Sequence, residues 1–267
     1  MATLPFAATT PVNVASVGLK SRDAEALAQF YRDVVGLHEL SRSNGAISLG
    51  TEERTLLVLE EDKAALPDDA REAGLFHTAF LLPSRADLAR WARHALDRHV
   101  TIDGASDHLV SEAIYLSDPE GNGIEIYADR PPESWPWEDG EVAMKTLRLD
   151  FNGLLSAAGN VGWSGVPDGT VVGHVHLRVG DPAEAERWWR ENMGFETMAR
   201  YGSNAVFLSS GGYHHHIGAN AWHSPGAGRR NPARAGLSWV QLSAAGAEGE
   251  RALEDPWGTV IRVSGKA

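Results

Sequence analysis

The residues of this 267-residue chain that could do chemistry are histidines and a carboxylate set into strand-like apolar runs. They stand in Phe76-His77-Thr78-Ala79-Phe80, in Gly123-Ile124-Glu125-Ile126, in His174-Val175-His176-Leu177 and in the run His214-His215-His216. Imidazole and carboxylate groups hold metal ions and carry protons. The chain has no cysteine, which removes disulfides, thiolate metal sites and a cysteine nucleophile. Strand alternation lets Glu125 face a site, since Ile124 and Ile126 then face the opposite side. Taken singly, His77 or His174 reads as a core histidine with its hydrogen bonds satisfied.

The elements that must position these groups are organised by a duplication. Segment 16–40 recurs as 174–198, with Val17/Val175, Leu19/Leu177, Asp23/Asp181, Phe30/Trp188, Tyr31/Trp189 and Gly36/Gly194 in register. A repeat of this kind means that each copy is one structural unit, burying its apolar face against others. The pattern predicts a strand over 12–20, a helix over 23–34 and strands over 46–50 and 55–60, one β-α-β-β-β unit. A second unit has a strand at 75–82, a helix at 85–98 with Trp91 and Leu96 on its inner face, and strands at 113–116 and 123–127. Between those last strands, Asp118-Pro119-Glu120-Gly121-Asn122 forms a turn. A third unit starts at 171–179. A fourth starts at 237–242 and closes with Asp255-Pro256-Trp257-Gly258-Thr259 and a strand at 260–263. The predicted fold class is therefore α+β, with four β-α-β-β-β units in two tandem domains, 1–130 and 171–267. Residues 131–170, with Pro131-Pro132, Trp135-Pro136-Trp137 and a helical stretch at 147–156, form an interdomain strap.

Composition narrows the partners. Apolar residues make up 43% of the chain, with 9 Trp and 7 Phe, enough for a sizeable core. The 24 basic and 36 acidic residues leave a net charge of −12 with no Lys/Arg-rich run, which argues against nucleic acid and anionic membranes as partners. No 18-residue apolar stretch and no signal-peptide pattern occur, so the cytoplasm is the expected compartment.

The motifs His174-Val175-His176-Leu177-Arg178-Val179-Gly180-Asp181, Phe76-His77-Thr78-Ala79-Phe80 and Asp118-Pro119-Glu120-Gly121-Asn122-Gly123-Ile124-Glu125-Ile126, in this order and spacing, resemble the vicinal oxygen chelate superfamily. That superfamily includes glyoxalase I, the fosfomycin and bleomycin resistance proteins and the extradiol dioxygenases, and the resemblance covers nearly the whole chain. It implies curved, cup-like sheets of paired units, with ligands on the first and last strands of each unit. Unit one then offers only Ser16 and the aliphatic Leu56-Leu57-Val58-Leu59. Unit four offers Trp239 and Arg262 where unit two has His77 and Glu125. Unit two offers His77 and Glu125, and unit three offers His174 and the His214-His215-His216 run. The active cup is thus expected from units two and three, and a metal-free cup from units one and four.

His77, His174 and Glu125 make two imidazoles and one carboxylate, the facial set that leaves positions open on Fe(II), or Mn(II), for substrate and O2. Three such groups at matching strand positions outweigh the core-histidine reading. Among superfamily members the chain is most like the two-domain catechol-2,3-dioxygenases, which carry an acid/base histidine, matched here by His215, and a histidine and tyrosine, matched by His108 and by Tyr115, ten residues before Glu125. The implied reaction opens the ring of a catechol-like molecule beside its two hydroxyls using both atoms of O2, with His215 moving a proton near neutral pH. In the better known members the metal lies within one domain, whereas these ligands straddle the repeat boundary. Aromatic walls are expected from Trp135, Trp137, Tyr201, Tyr213 or Trp222, and a homo-oligomer is the usual assembly of such proteins. Two other readings stand beside this one: a glyoxalase-I-like lyase or isomerase using zinc or nickel, and a metal-free binding protein of the bleomycin-resistance kind.

Overall fold

A computed structural model describes residues 3–266. A short helix, α1 (Phe6–Thr9), leads into unit one: β1 (Val12–Ser21), α2 (Ala24–Phe30), β2 (His38–Ser43), β3 (Ala46–Gly50) and β4 (Thr55–Glu61). Unit two comprises β5 (Gly74–Leu81), α3 (Arg85–Asp97), β6 (Gly104–Asp107), β7 (Ser111–Ser117) and β8 (Gly123–Asp129). The strap holds β9 (Trp137–Glu138), β10 (Glu141–Val142), β11 (Leu147–Arg148) and α4 (Phe151–Ser156). Unit three is β12 (Val171–Arg178), α5 (Pro182–Met193), β13 (Glu196–Tyr201), β14 (Ala205–Ser209) and β15 (Ile217–Asn220). Unit four is β16 (Gly236–Ala244), β17 (Arg251–Glu254) and β18 (Val260–Gly265).

The duplicated residues explain why corresponding helices start and stop where they do. Asp23 and Asp181 each accept a hydrogen bond from a first-turn backbone N–H, and Gly36 and Gly194 each take the left-handed conformation that ends the helical stretch. Three expectations are corrected. Unit four has neither helix nor a fourth strand, because residues 245–250, between β16 and β17, are too few to form them. Leu96 is 48% exposed although Trp91 is fully buried, since five residues of helix rotate Leu96 away from the inner face. The stretch 147–156 is not one helix: Leu147 and Arg148 pair with β6, and α4 begins only after Asp150, which caps it.

Two mixed sheets result. One, ordered β17-β18-β16-β1-β4-β3-β2, joins units one and four; the other, ordered β11-β6-β7-β8-β5-β12-β15-β14-β13, joins units two and three. Pairing is therefore crossed, as the distribution of polar groups along the chain required. Both seams are antiparallel, β1 with β16 and β5 with β12. Each carries a bulge at the same repeat position, Ala15 in β1 and Gly173 in β12. No helix among the described residues is long and apolar enough to cross a membrane.

In the sheet of units one and four, side-chain bulk stands where the other sheet carries its polar cluster. Trp239 donates through its indole N–H to Glu60 at 2.8 Å, and the Arg262 guanidinium lies 4.3 Å from the Trp239 ring centre. Gly18, directly across from Trp239 on β1, makes room for that ring: a Cβ there would lie 2.2 Å from it. Gly18→Ala is therefore expected to destabilise the protein by about 1–3 kcal/mol through overpacking, read as a lower urea midpoint; an unmoved midpoint would contradict this packing.

Candidate metal centre

Sheet register brings the centre together. Tyr115 on β7 lies opposite Glu125 on β8, Glu125 opposite Ala79 on β5, and Ala79 opposite His174 on β12. Ala79 is the small member of this row, and His77, two residues before it, shares its face of the sheet. Above Ala79 the three candidate ligands converge. His77 Nε2 lies 3.0 Å and His174 Nε2 3.1 Å from the same oxygen, Glu125 Oε2, and the two imidazole nitrogens are 3.2 Å apart. All three side chains are buried.

These spacings fit a metal-binding face. Donors with bonds of about 2.1 Å stand about 3.0 Å apart in neighbouring octahedral positions and about 3.4 Å apart in tetrahedral ones. The triangle of 3.0, 3.1 and 3.2 Å matches the octahedral face, which leaves positions open on the far side. Electrostatics suit the same role. Burial pushes the Glu125 carboxyl up, but the neighbouring His174 and His77 outweigh it and hold it well below the usual carboxylate range. Burial lowers the His174 imidazole to about 4, against the opposing pull of Glu125. An ionised Glu125 and a neutral His174 are the protonation states that metal binding needs.

A second layer fixes ring orientation. His174 Nδ1 lies 3.2 Å from the Tyr127 hydroxyl, which is 2.7 Å from the Tyr213 hydroxyl. The bulged Gly173 permits this approach, for a Cβ there would fall 1.8 Å from the Tyr127 oxygen. His108 and Tyr115 meet beside the triad. His108 Nδ1 donates to the Lys145 carbonyl at 2.8 Å, which leaves Nε2 to accept from the Tyr115 hydroxyl at 2.7 Å. Burial, with Glu125 nearby, pushes the Tyr115 phenol well up, so it stays protonated.

The three consecutive histidines have separate positions. His216 donates to the Ala7 carbonyl at 2.9 Å and accepts from Ser209 Oγ at 3.0 Å, tying α1 to the sheet. His214 lies 2.9 Å from Asp129, and His215 lines the cavity with its ring centre 4.0 Å from that of His174. Burial and the surrounding imidazoles push His215 well below its ordinary value, which favours the neutral imidazole.

The cavity above the triad has a volume of about 680 Å³, inside the range of about 300–1,000 Å³ usual for small-molecule sites. Of the expected aromatic walls, Tyr201 and Trp222 line it. Trp137 is half exposed and does not, while Trp135 and Tyr213 pack behind His214. Sequence reasoning missed Phe76, Phe207 and His176 on the cavity wall, and Tyr127 and Asp129 behind it. A usable signal was present for the last two: counting by two along β8 from Glu125 gives Tyr127 and then Asp129 on the same face.

Protonation of buried histidines should couple to unfolding. His174 and His216 are held neutral down to about 4 and about 3 by burial, whereas in the unfolded chain they protonate near about 6.5. The unfolded state therefore binds more protons between these values, and stability is lost as pH falls from about 6.5 towards 4. Urea midpoints are expected to change little between pH 7 and 8 and to drop steadily below 6.5; a midpoint constant from pH 7 to 4.5 would contradict the buried, neutral state.

Comparison with known proteins places the chain. Residues 13–126 match the model of the glyoxalase/bleomycin resistance protein/dioxygenase superfamily. A catechol-2,3-dioxygenase of Bacillus subtilis is 42% identical over 218 residues, covering 80% of this chain and 75% of that protein. A biphenyl-2,3-diol 1,2-dioxygenase of Rhodococcus globerulus is 28% identical over 156 residues, 56% of this chain and 82% of that one. The crystal structure of a putative dioxygenase from Bacillus subtilis superposes with a TM-score of 0.60 at 14% identity, covering 96% of this chain and 85% of the other, and so shares the fold. The chain belongs to the glyoxalase/bleomycin resistance protein/dioxygenase superfamily.

Proposed function

We propose that the protein is an extradiol dioxygenase that opens catechol-type rings with O2 at a non-haem Fe(II), with Mn(II) as the other ion suited to the site, held by His77, His174 and Glu125. The observation that carries this reading is the buried triangle of donors on the floor of an aromatic-walled cavity. The names of the relatives, which specify catechol and biphenyl-2,3-diol as substrates, support the same choice. When bound, such an ion supplies a redox-active Lewis acid with positions open to substrate and O2.

The protein's own residues have defined tasks in this reading. Phe76, Phe207 and Trp222 form an aromatic wall against which a substrate ring packs and from which water is excluded. His215, neutral at rest, takes a proton from a catechol hydroxyl and returns it to the ring-opened product. The Tyr115 hydroxyl, whose proton goes to His108, presents its oxygen beside the triad as an acceptor for a substrate hydroxyl. The ring carbon–carbon bond beside the diol breaks, and both oxygen atoms enter the product, so catechol plus O2 becomes 2-hydroxymuconic semialdehyde with atoms balanced.

A glyoxalase-I-like site would set a second carboxylate beside the metal; here the groups next to the triad are the imidazole of His215 and the phenol of Tyr115. A metal-free binding protein would leave three converging polar groups buried with no ligand to offset their desolvation. The cytoplasm remains the proposed compartment, and the duplicated halves 1–130 and 171–267 with their 131–170 strap remain the proposed domain division.

Anaerobically reconstituted with Fe(II), the protein is expected to consume one O2 per catechol and to form a yellow product. His215→Ala should keep its metal but lose turnover by about 10²–10⁴-fold. Absence of O2 uptake with catechols by the metal-loaded protein would overturn the activity, and a normal rate in His215→Ala would remove that residue's role.

A further inference from the structure

We infer that His176 is a specificity-determining residue, the polar contact in an otherwise apolar aromatic wall for a substrate ring that carries an oxygen substituent besides its diol. This deepens the dioxygenase reading and rests on it in taking a catechol as the ring that packs there.

His176 is 3% exposed and lines the cavity. The sheet places it in the row next to the triad. It lies opposite His77 across the seam of β5 and β12, with ring centres 5.0 Å apart, and opposite Gly218 on β15, which in turn faces Phe207 on β14. Gly218 makes the niche, since a Cβ there would lie 2.9 Å from the imidazole. Around that niche stand the three rings of the aromatic wall, Phe76, Phe207 and Trp222, with centres 5.1, 5.7 and 5.4 Å from that of His176. The imidazole is thus central to the surface against which a substrate ring packs.

What it lacks there is a partner. His77, His174, His214, His215 and His216 are also buried, and each has a polar atom at 3.1 Å or closer. His176 Nε2 is buried with none among the described residues. Both ring nitrogens of an imidazole seek partners in either charge state, so the deficit is the same wherever the proton sits. The flanking rings receive an N–H weakly and offer nothing to a lone pair. Leaving a buried polar group unmatched is costly, and an apolar side chain would fill the niche without that cost. Of the three rings Trp222 is the exposed one, at 41%, and an entering ring that displaces it gives His176 the missing partner. A hydroxyl on that ring both donates and accepts, whereas a methyl group in its place does neither and leaves the nitrogen unmatched.

Calorimetric titration of the Fe(II)-loaded full-length protein in the absence of oxygen tests this with catechols that carry a hydroxyl or a methyl at the same ring position, taken both next to the diol and one carbon further. At one of the two positions the hydroxyl compound is expected to bind about tenfold more tightly than the methyl compound, the worth of one buried hydrogen bond. His176→Phe should remove or reverse that preference, and His176→Gln, which keeps a donor and an acceptor, should retain most of it. Both variants should hold Fe(II) against a chelator as the unaltered chain does. Should His176→Phe fail to fold, His176→Leu carries the same test. A methyl preference at both positions in the unaltered chain, a hydroxyl preference that survives His176→Phe, or loss of the ion from that variant, which would make His176 a metal ligand instead, would overturn the inference. Because the titration uses no O2, selective binding without O2 uptake would remove the dioxygenase activity and leave the role of His176 standing, and O2 uptake without discrimination between the paired compounds would do the reverse.

Discussion

The antiparallel seam between β5 and β12 is the constraint on which the rest of the site depends. His77 and His174 are 97 residues apart in the chain and come to 3.2 Å only because this seam joins the last unit of one half to the first unit of the other. Glu125 arrives by the parallel pairing of β8 with β5, which adds its carboxylate to the same face. Burying these three groups is costly unless they share a ligand, so the seam and the proposed ion are two parts of one energetic account. Shifting the seam by one residue would turn His174 to the opposite face and leave no donor set.

Duplication followed by divergence explains why there are two sheets and one candidate site. The bulges at Ala15 and Gly173 occupy equivalent places in the two seams, so the backbone frame was kept in both copies. In one copy, Trp239, Arg262 and Glu60 interlock across the face. In the other, small Ala79 and Gly173 leave room for a polar centre and for the Tyr127 hydroxyl behind it. The strap adds what the sheets lack: its Lys145 carbonyl orients His108, and its Trp135 seals the space behind His214.

Much of this was legible in the sequence because repetition carries more information than local propensity. The register of the two copies located the equivalent strands, and the uneven distribution of His77, Glu125 and His174 among them implied the crossed pairing. The same register paired Asp23 with Asp181 and Gly36 with Gly194, the residues that cap and end the corresponding helical stretches. What was not legible depended on packing between distant segments. Which of His214, His215 and His216 faces the cavity follows from partners at Asp129 and Ala7, not from strand period, because the run lies just before β15. The exposure of Leu96 and the late start of α4 are matters of a few tens of degrees and a capping aspartate, finer than an apolar pattern resolves.

The central claim is that the triad of His77, His174 and Glu125 exists to hold a redox-active metal ion, and elemental analysis of the anaerobically purified full-length protein addresses it most directly. The account predicts about one iron or manganese per chain, lost on substitution of Glu125 by alanine with the fold intact. Zinc or nickel bound in place of these, or no metal taken up from Fe(II) solution, would contradict it.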